Sequence, residues 1–161
     1  WATSSGGSIS ACCTSNFLSC NTSAPLITSG NNNFFVGCNA GICVTSGNNN
    51  FAAGLCAGRS INLGQYNTLI GKNAGCSLTS GSGNFFAGPG AGQGNAGGGN
   101  NIMIGSLAGS NNNGYYNTFL GQNAGCGSSG NYNFFVGRFT GPTSSGSHNV
   151  FFGHCAGFCN S

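Results

Sequence analysis

The sequence predicts an all-β protein, a β-solenoid of about nine coils that stack or bundle into a fibre. Three observations predict this fold: a repeat that returns every 16 or 17 residues, a three-residue apolar segment in each copy, and Asn or Gly on both sides of that segment. Such short fixed periods are typical of solenoids, in which each unit contacts mainly its neighbours. We expect one repeat domain at residues 13–161, with residues 1–12 as an N-terminal or junction segment.

The repeat unit is Gly-x-x-Asn, three apolar or Thr residues, Gly, two variable residues, then Ala-Gly. Positions are numbered from its first Gly, so the Asn is at position four, the apolar segment at positions five to seven, and the Ala-Gly pair at positions eleven and twelve. A degenerate first copy starts near Cys13, and the others start at Gly30, Gly47, Gly64, Gly81, Gly98, Gly114, Gly130 and Gly146. This array leaves almost no residues for another domain.

Positions five to seven are expected to form a short strand, because they are rich in Phe and β-branched residues and lie between turn residues. Strand side chains alternate, so position six faces one way and positions five and seven face the other. Both sets are largely apolar, so we expect another copy of the chain to cover the outer face, in a trimer, a paired solenoid or a bundled filament. The alternative is that a corner of the same chain folds back over this face.

Gly at positions one, eight and twelve is expected at about three sharp corners per coil, since Gly adopts positive φ without steric cost. The Ala-Gly pair indicates a close approach of backbones with no room for a larger side chain. The Asn at position four is expected to be structural, through an Asx turn in its own coil and an amide ladder with the Asn one coil away. The ladder would contain Asn33, Asn50, Asn67, Asn84, Asn101, Asn117, Asn133 and Asn149.

The composition excludes most catalytic and ligand-binding classes. The chain has no Asp or Glu, and 2% of its residues are charged, against about a quarter in an average soluble protein. Without carboxylates, no Ser-His-Asp triad, glycosidase pair or calcium site can form, and His148 and His154 have no acidic partner. We therefore predict no enzyme activity, no catalytic residue, no metal and no cofactor.

The expected partners are copies of the same chain. A net charge of +3 is too small for a nucleic-acid groove, and no apolar run is long enough to span a bilayer. Asn21 begins an Asn-Thr-Ser sequence and the corners are rich in Ser and Thr, so these sites are candidates for glycans, with plain solvated turns as the alternative. Glycans would help to keep a nearly uncharged rod in solution.

The chain has ten cysteines, which indicates an oxidising, extracellular setting and favours disulfides over metal sites. Register brings Cys38 close to Cys56 of the next coil. Other cysteines cluster at the two ends, where we expect some to link the last coil of one subunit to the first coil of the next. A zinc site with His154 is the alternative at the C-terminal end. The candidate disulfide or junction cysteines are Cys12, Cys13, Cys20, Cys38, Cys56, Cys155 and Cys159.

Two copies of the unit, GQYNTLIGKNAG at 64–75 and GYYNTFLGQNAG at 114–125, resemble the Gly/Asn-rich repeats of phage tail-fibre and bacterial extracellular surface proteins. The paired Phe residues and the cysteines of this chain depart from that pattern. The resemblance implies a fibrous, extracellular role at a cell surface or in a virion fibre, and it transfers no catalytic residue.

These observations favour a structural subunit that assembles end to end into an extracellular filament, since a solenoid that stays monomeric needs polar end caps. One alternative is the shaft of a trimeric phage-type fibre or adhesin. Another is a functional amyloid similar to curli. An ice-binding solenoid is disfavoured, because the regular Thr-x-Thr ladder of such surfaces is absent.

Overall fold

The structure, a computed structural model, describes residues 16–19 and 29–158. These residues form no helix, so they contain none that could cross a membrane, and their nine three-residue strands form one parallel sheet. The strands are β1 (Phe17–Ser19), β2 (Phe34–Val36), β3 (Phe51–Ala53), β4 (Thr68–Ile70), β5 (Phe85–Ala87), β6 (Ile102–Ile104), β7 (Thr118–Leu120), β8 (Phe134–Val136) and β9 (Val150–Phe152).

The order of the strands in the sheet is their order in the chain, so each strand pairs only with the strands one coil before and one coil after it. Residues at the same repeat position are aligned: Phe34 pairs with Phe51, and Thr118 pairs with Phe134. This parallel, in-register stacking forms a β-solenoid of about seven turns. The predicted fold class is therefore confirmed at the level of an all-β solenoid.

The two faces of the sheet alternate as predicted. The central residue of each strand points into the coil, where Phe86, Met103 and Phe119 are fully buried. The flanking residues at positions five and seven face outward, and Phe34 and Phe85 are 38% and 39% exposed. The alternative in which a corner of the same chain covers this face is wrong for the described residues.

The interior is built from four inward-facing rows, at positions four, six, eleven and fifteen. Position eleven is Ala in every described coil except that of Thr140, whose Oγ1 donates to the carbonyl of Gly153 at 2.9 Å. The fully buried row at position fifteen was not predicted, and it changes from apolar to polar along the chain. Its members are Val44, Ile61, Leu78, Asn95, Asn112, Ser128 and Ser144.

The glycine columns have two different physical causes. Gly54 at position eight and Gly92 at position twelve have φ of 138° and 61°, so they need the freedom of Gly at a turn. Gly47 at position one has no positive φ, but a Cβ there would lie 2.6 Å from the carbonyl oxygen of Gly64 in the next coil. The expectation of a positive-φ turn at position one is therefore wrong for this coil, where the close approach of two backbones requires Gly.

Candidate assembly surfaces

A column of buried amides runs along the solenoid at position four. In the coil of Asn67, the backbone N–H and Nδ2 both donate to Oδ1 of Asn50, at 3.1 and 3.0 Å. The same Nδ2 also donates to the carbonyl of Gly81 in the following coil at 2.9 Å. Each such side chain therefore links three consecutive coils.

The structure brings all the Asn residues predicted for the ladder into this column, where they lie one above the other. They are Asn33, Asn50, Asn67, Asn84, Asn101, Asn117, Asn133 and Asn149. Oδ1 of each accepts from the Asn of the next coil where one follows, so this oxygen serves the stack and not an Asx turn. The pattern changes at Asn117, whose Nδ2 donates to Oδ1 of Asn112 at 3.3 Å and to the carbonyl of Gly130 at 3.0 Å.

The amide column has a direction. From Asn16 to Asn133, each Oδ1 accepts from the backbone N–H of the Asn in the following coil. At the C-terminal end, Asn149 donates to Asn133 from both N and Nδ2, and no described residue donates to Oδ1 of Asn149. At the other end, Asn16 accepts from Asn33 through Oδ1 and donates to the carbonyl of Gly30 through Nδ2. The two ends of the column are chemically different.

The last described coil ends in an exposed sheet edge. β9 pairs with β8 on one side, and no described strand pairs with its other side. Val150 and Phe152 are each 68% exposed, and Phe151 is only partly buried although Phe135 at the same position is fully buried. Within residues 16–19 and 29–158, both the apolar core and the strand backbone of this coil are therefore exposed.

The outer sheet face is the second exposed apolar surface. Its two rows are positions five and seven of β2 to β9, and its large exposed members are Phe34, Phe51, Ile70, Phe85, Ile102, Ile104, Phe134, Val150 and Phe152. Rings at position five stack along the axis, with centroids of Phe34 and Phe51 5.1 Å apart and planes within 2°. The charged residues Arg59, Lys72 and Arg138 lie at positions nine and thirteen, so none belongs to this face.

The six described cysteines lie at positions nine, ten, thirteen and fourteen, away from the strands, and all are free thiols. Cys56 donates its N–H to the carbonyl of Cys38 at 2.8 Å, so these residues are diagonal neighbours in adjacent coils. No bond joins their sulfur atoms in this structure, and the disulfide between them stays a prediction. Burial raises the pKa of the Cys126 thiol above its ordinary value.

Several predicted sites fall at the ends of the chain. Cys155 is described, and its Sγ lies 3.5 Å from Nε2 of His154. Within the described ranges no three His, Cys, Asp or Glu side chains come together as a metal site would require. The predicted junction cysteines Cys12, Cys13, Cys20 and Cys159 and the glycosylation candidate Asn21 lie outside the described residues.

One aromatic ladder was missed in the sequence. At position three, the ring of Tyr132 stacks between those of Tyr116 and His148, with both centroid distances 5.0 Å. The signal was available, because these residues occupy the same position in three successive repeats. All three are exposed, so they extend the in-register stacking to the surface of the coil.

Comparison with known proteins gives no relative: the chain matches no family model, no curated protein and no solved structure. Functional conclusions therefore depend on the surfaces described above.

Proposed function

We propose that this chain is a structural subunit that stacks end to end into an extracellular filament and has no catalytic activity. The observation that carries the proposal is the edge at β9, where no described strand pairs with the outer side and the described apolar core is exposed. Edges of this kind promote pairing with another chain unless they are blocked by charge, Pro or a covering segment. The described part of the final coil contains no charged residue and no Pro.

The two ends of the described solenoid are complementary. β1 (Phe17–Ser19) has the same place in its coil as β9, so β1 of a second copy would continue the sheet in the same register. Oδ1 of Asn149 would then accept from the backbone N–H of Asn16 in that copy, as every internal Oδ1 accepts from the next Asn. A junction of this kind repeats a contact that the chain already makes with itself at each coil.

The extracellular location is part of the proposal. Ten cysteines in a chain of this length suit an oxidising compartment, in which the exposed thiol of Cys43 and the predicted junction cysteines would form cross-links between subunits. Glycans on the Ser- and Thr-rich corners would contribute the hydration that charged residues supply in other proteins. Non-reducing electrophoresis of native material tests the cross-links, which require species larger than the single chain.

The experiment for the filament is cryo-electron microscopy of the full chain, read for fibres and their axial repeat. If β1 of the next copy follows β9, each subunit adds nine strands to the sheet, and nine strand spacings of about 4.8 Å predict a rise of about 43 Å per subunit. Val150→Pro removes the N–H that β9 offers to a following strand, and Pro is tolerated at the first residue of a strand. We expect this variant to stay in short species, whereas the near-isosteric control Val150→Thr forms filaments.

The outcome that would contradict the proposal is equal behaviour of the two variants, or discrete particles from the unmodified chain. Discrete trimers would favour the second candidate function, a fibre or adhesin shaft, for which the apolar outer face is the supporting observation. Filaments that bind thioflavin and grow from added seeds would favour a curli-like amyloid, which the in-register stacking of Phe and Asn makes reasonable.

A further inference from the structure

We propose that the outer sheet face binds the same face of a second copy, with the two solenoids parallel and related by a two-fold axis along their length. This lateral contact goes beyond end-to-end stacking and does not depend on it. It would place two parallel solenoids side by side in the cross-section of the assembly.

The first argument is the size and chemistry of the face. Full burial of a Phe side chain removes roughly 200 Å² from solvent, so each Phe of the face from β2 to β8 still offers roughly 75 Å². Summed over both rows of the described coils, the apolar area is on the order of 800 Å², which is what each partner of a stable interface typically contributes. A monomer rarely leaves such an area open. Because neither row contains a charged residue, two copies of the face meet without repulsion.

The second argument is a relation between the two rows. Where position five is Phe, position seven of the same strand is smaller: Phe51 is followed by Ala53, and Phe85 by Ala87, whereas β6 is an exception with Ile at both positions. Where position five is Thr, as at Thr68, position seven is large. The pairs from β2 to β8 are Phe34 and Val36, Phe51 and Ala53, Thr68 and Ile70, Phe85 and Ala87, Ile102 and Ile104, Thr118 and Leu120, and Phe134 and Val136.

This relation selects one geometry. A two-fold axis parallel to the solenoid places position five of each coil opposite position seven of the same coil in the partner. Phe85 then packs against Ala87 of the second copy, and Thr68 against Ile70, so that a large side chain meets a small one in nearly every coil. Interfaces pack as closely as protein interiors, so such volume matching is what a stable contact needs.

The antiparallel arrangement does not match in this way. A two-fold axis along the strands places position five opposite position five, in reversed coil order. Centred on β5, it would set Phe85 against Phe85 and Ala87 against Ala87, with a clash in one row and a gap in the other. Centred between β4 and β5, it would match Phe85 with Thr68, but it would also set Phe51 against Ile102 and leave β9 without a partner strand. The row pattern therefore favours the parallel pair.

The test uses the Val150→Pro background, in which end-to-end stacking is blocked, so that lateral pairing is measured by sedimentation. Val150 lies at the last strand of the face and Pro keeps an apolar side chain there, so the rest of the face is unchanged. We expect a species of two chains. Ala53→Phe places Phe opposite Phe51 of the partner, and the two-fold axis makes this clash occur twice, so the dissociation constant should rise by about 100-fold. The swap Phe51→Ala with Ala53→Phe restores large against small, and should return the constant to within about tenfold of the starting protein.

A second pair of variants, Ala87→Phe with and without Phe85→Ala, repeats the test in another coil and guards against a folding defect at β3. Single chains from every variant, including the background protein, would overturn the inference while leaving filament formation by the unmodified chain intact. Pairs that ignore Ala53→Phe, or that the swap fails to restore, would overturn the parallel geometry. A species of three chains would overturn the two-fold axis.

Discussion

At the residue scale, the amide of Asn makes a set of hydrogen bonds that no other side chain of this size can make. Asn84 donates from Nδ2 to Oδ1 of Asn67 and to the carbonyl of Gly98, and its own Oδ1 accepts from both N and Nδ2 of Asn101. Donor and acceptor must both be present, and both must be buried. Ser and Thr are too short for this contact, Leu lacks both groups, and Asp lacks the donor.

Replacing one member of this column should have a large effect on stability. Asn84→Leu leaves the Gly98 carbonyl and the amides of Asn101 without their partners, so we expect the free energy of unfolding to fall by about 3 to 5 kcal/mol. Urea unfolding monitored by circular dichroism measures the change. The control Asn62→Leu makes the same replacement at an exposed site, where it removes one solvent-accessible hydrogen bond from Thr45, and should stay within about 1 kcal/mol of the original protein. Equal losses in the two variants would mean that the column does not stabilise the coil.

At the element scale, the buried polar side chains of the row at position fifteen are hydrogen-bonded in some coils and unpaired in others. Ser128 donates from Oγ to the carbonyl of Gly125 at 2.7 Å, and Asn112 donates to the same Oγ at 3.2 Å. One coil later, the hydroxyl of Ser144 is buried without a hydrogen-bond partner. Nδ2 of Asn95 is in the same situation. Unpaired buried polar groups are costly, so removing a polar group from this row should raise the free energy of unfolding at some coils and lower it at others.

Two Ser-to-Ala substitutions test this contrast. Ser144→Ala removes an unpaired hydroxyl from the interior and should raise the free energy of unfolding by about 1 kcal/mol. Ser128→Ala removes two hydrogen bonds from an equally buried site and should lower it by about 1 to 2 kcal/mol. Both values come from chemical denaturation of the same protein preparation. Destabilisation by Ser144→Ala would show that its hydroxyl has a partner in solution.

The element scale also separates what could be predicted from what could not. The strands could be predicted from the sequence, because each is a three-residue apolar segment between Asn and Gly. The buried row at position fifteen could not be predicted, because Val44 and Ser144 share no chemical property and only the three-dimensional register shows them to be one row. Positive φ at Leu107 and Cys56 was equally hidden, since neither residue type favours that conformation. Here the stacking of the coils overrides local preference.

At the scale of the whole molecule, the absence of Asp and Glu affects the response to acid. Acid unfolding of most proteins is driven by carboxylates that are paired in the folded state and must be protonated. This chain has no side-chain carboxylate, so we expect its free energy of unfolding to change by less than about 1 kcal/mol between about pH 3 and pH 6. Urea titrations at several pH values measure it, and a steep loss in acid would contradict the expectation.

Alkaline solution, unlike acid, should lower the free energy of unfolding. Burial raises the pKa of the Cys126 thiol in the folded state above its value in the unfolded chain. The resulting stabilisation is complete below the unfolded pKa and is lost as the pH rises through the folded pKa, so stability should decline above about pH 9. Under reducing conditions, Cys126→Ser should remove this part of the decline and leave the acid side unchanged.

The direction of the amide column has a consequence for growth. Because Oδ1 of each Asn from Asn16 to Asn133 accepts from the following coil, the proposed filament would have two unlike tips, one that presents an acceptor and one that presents an N–H donor. Incoming subunits would meet different chemistry at each tip, so elongation rates at the two tips should differ. Such a filament would be polar, with one tip suited to anchoring and the other to growth.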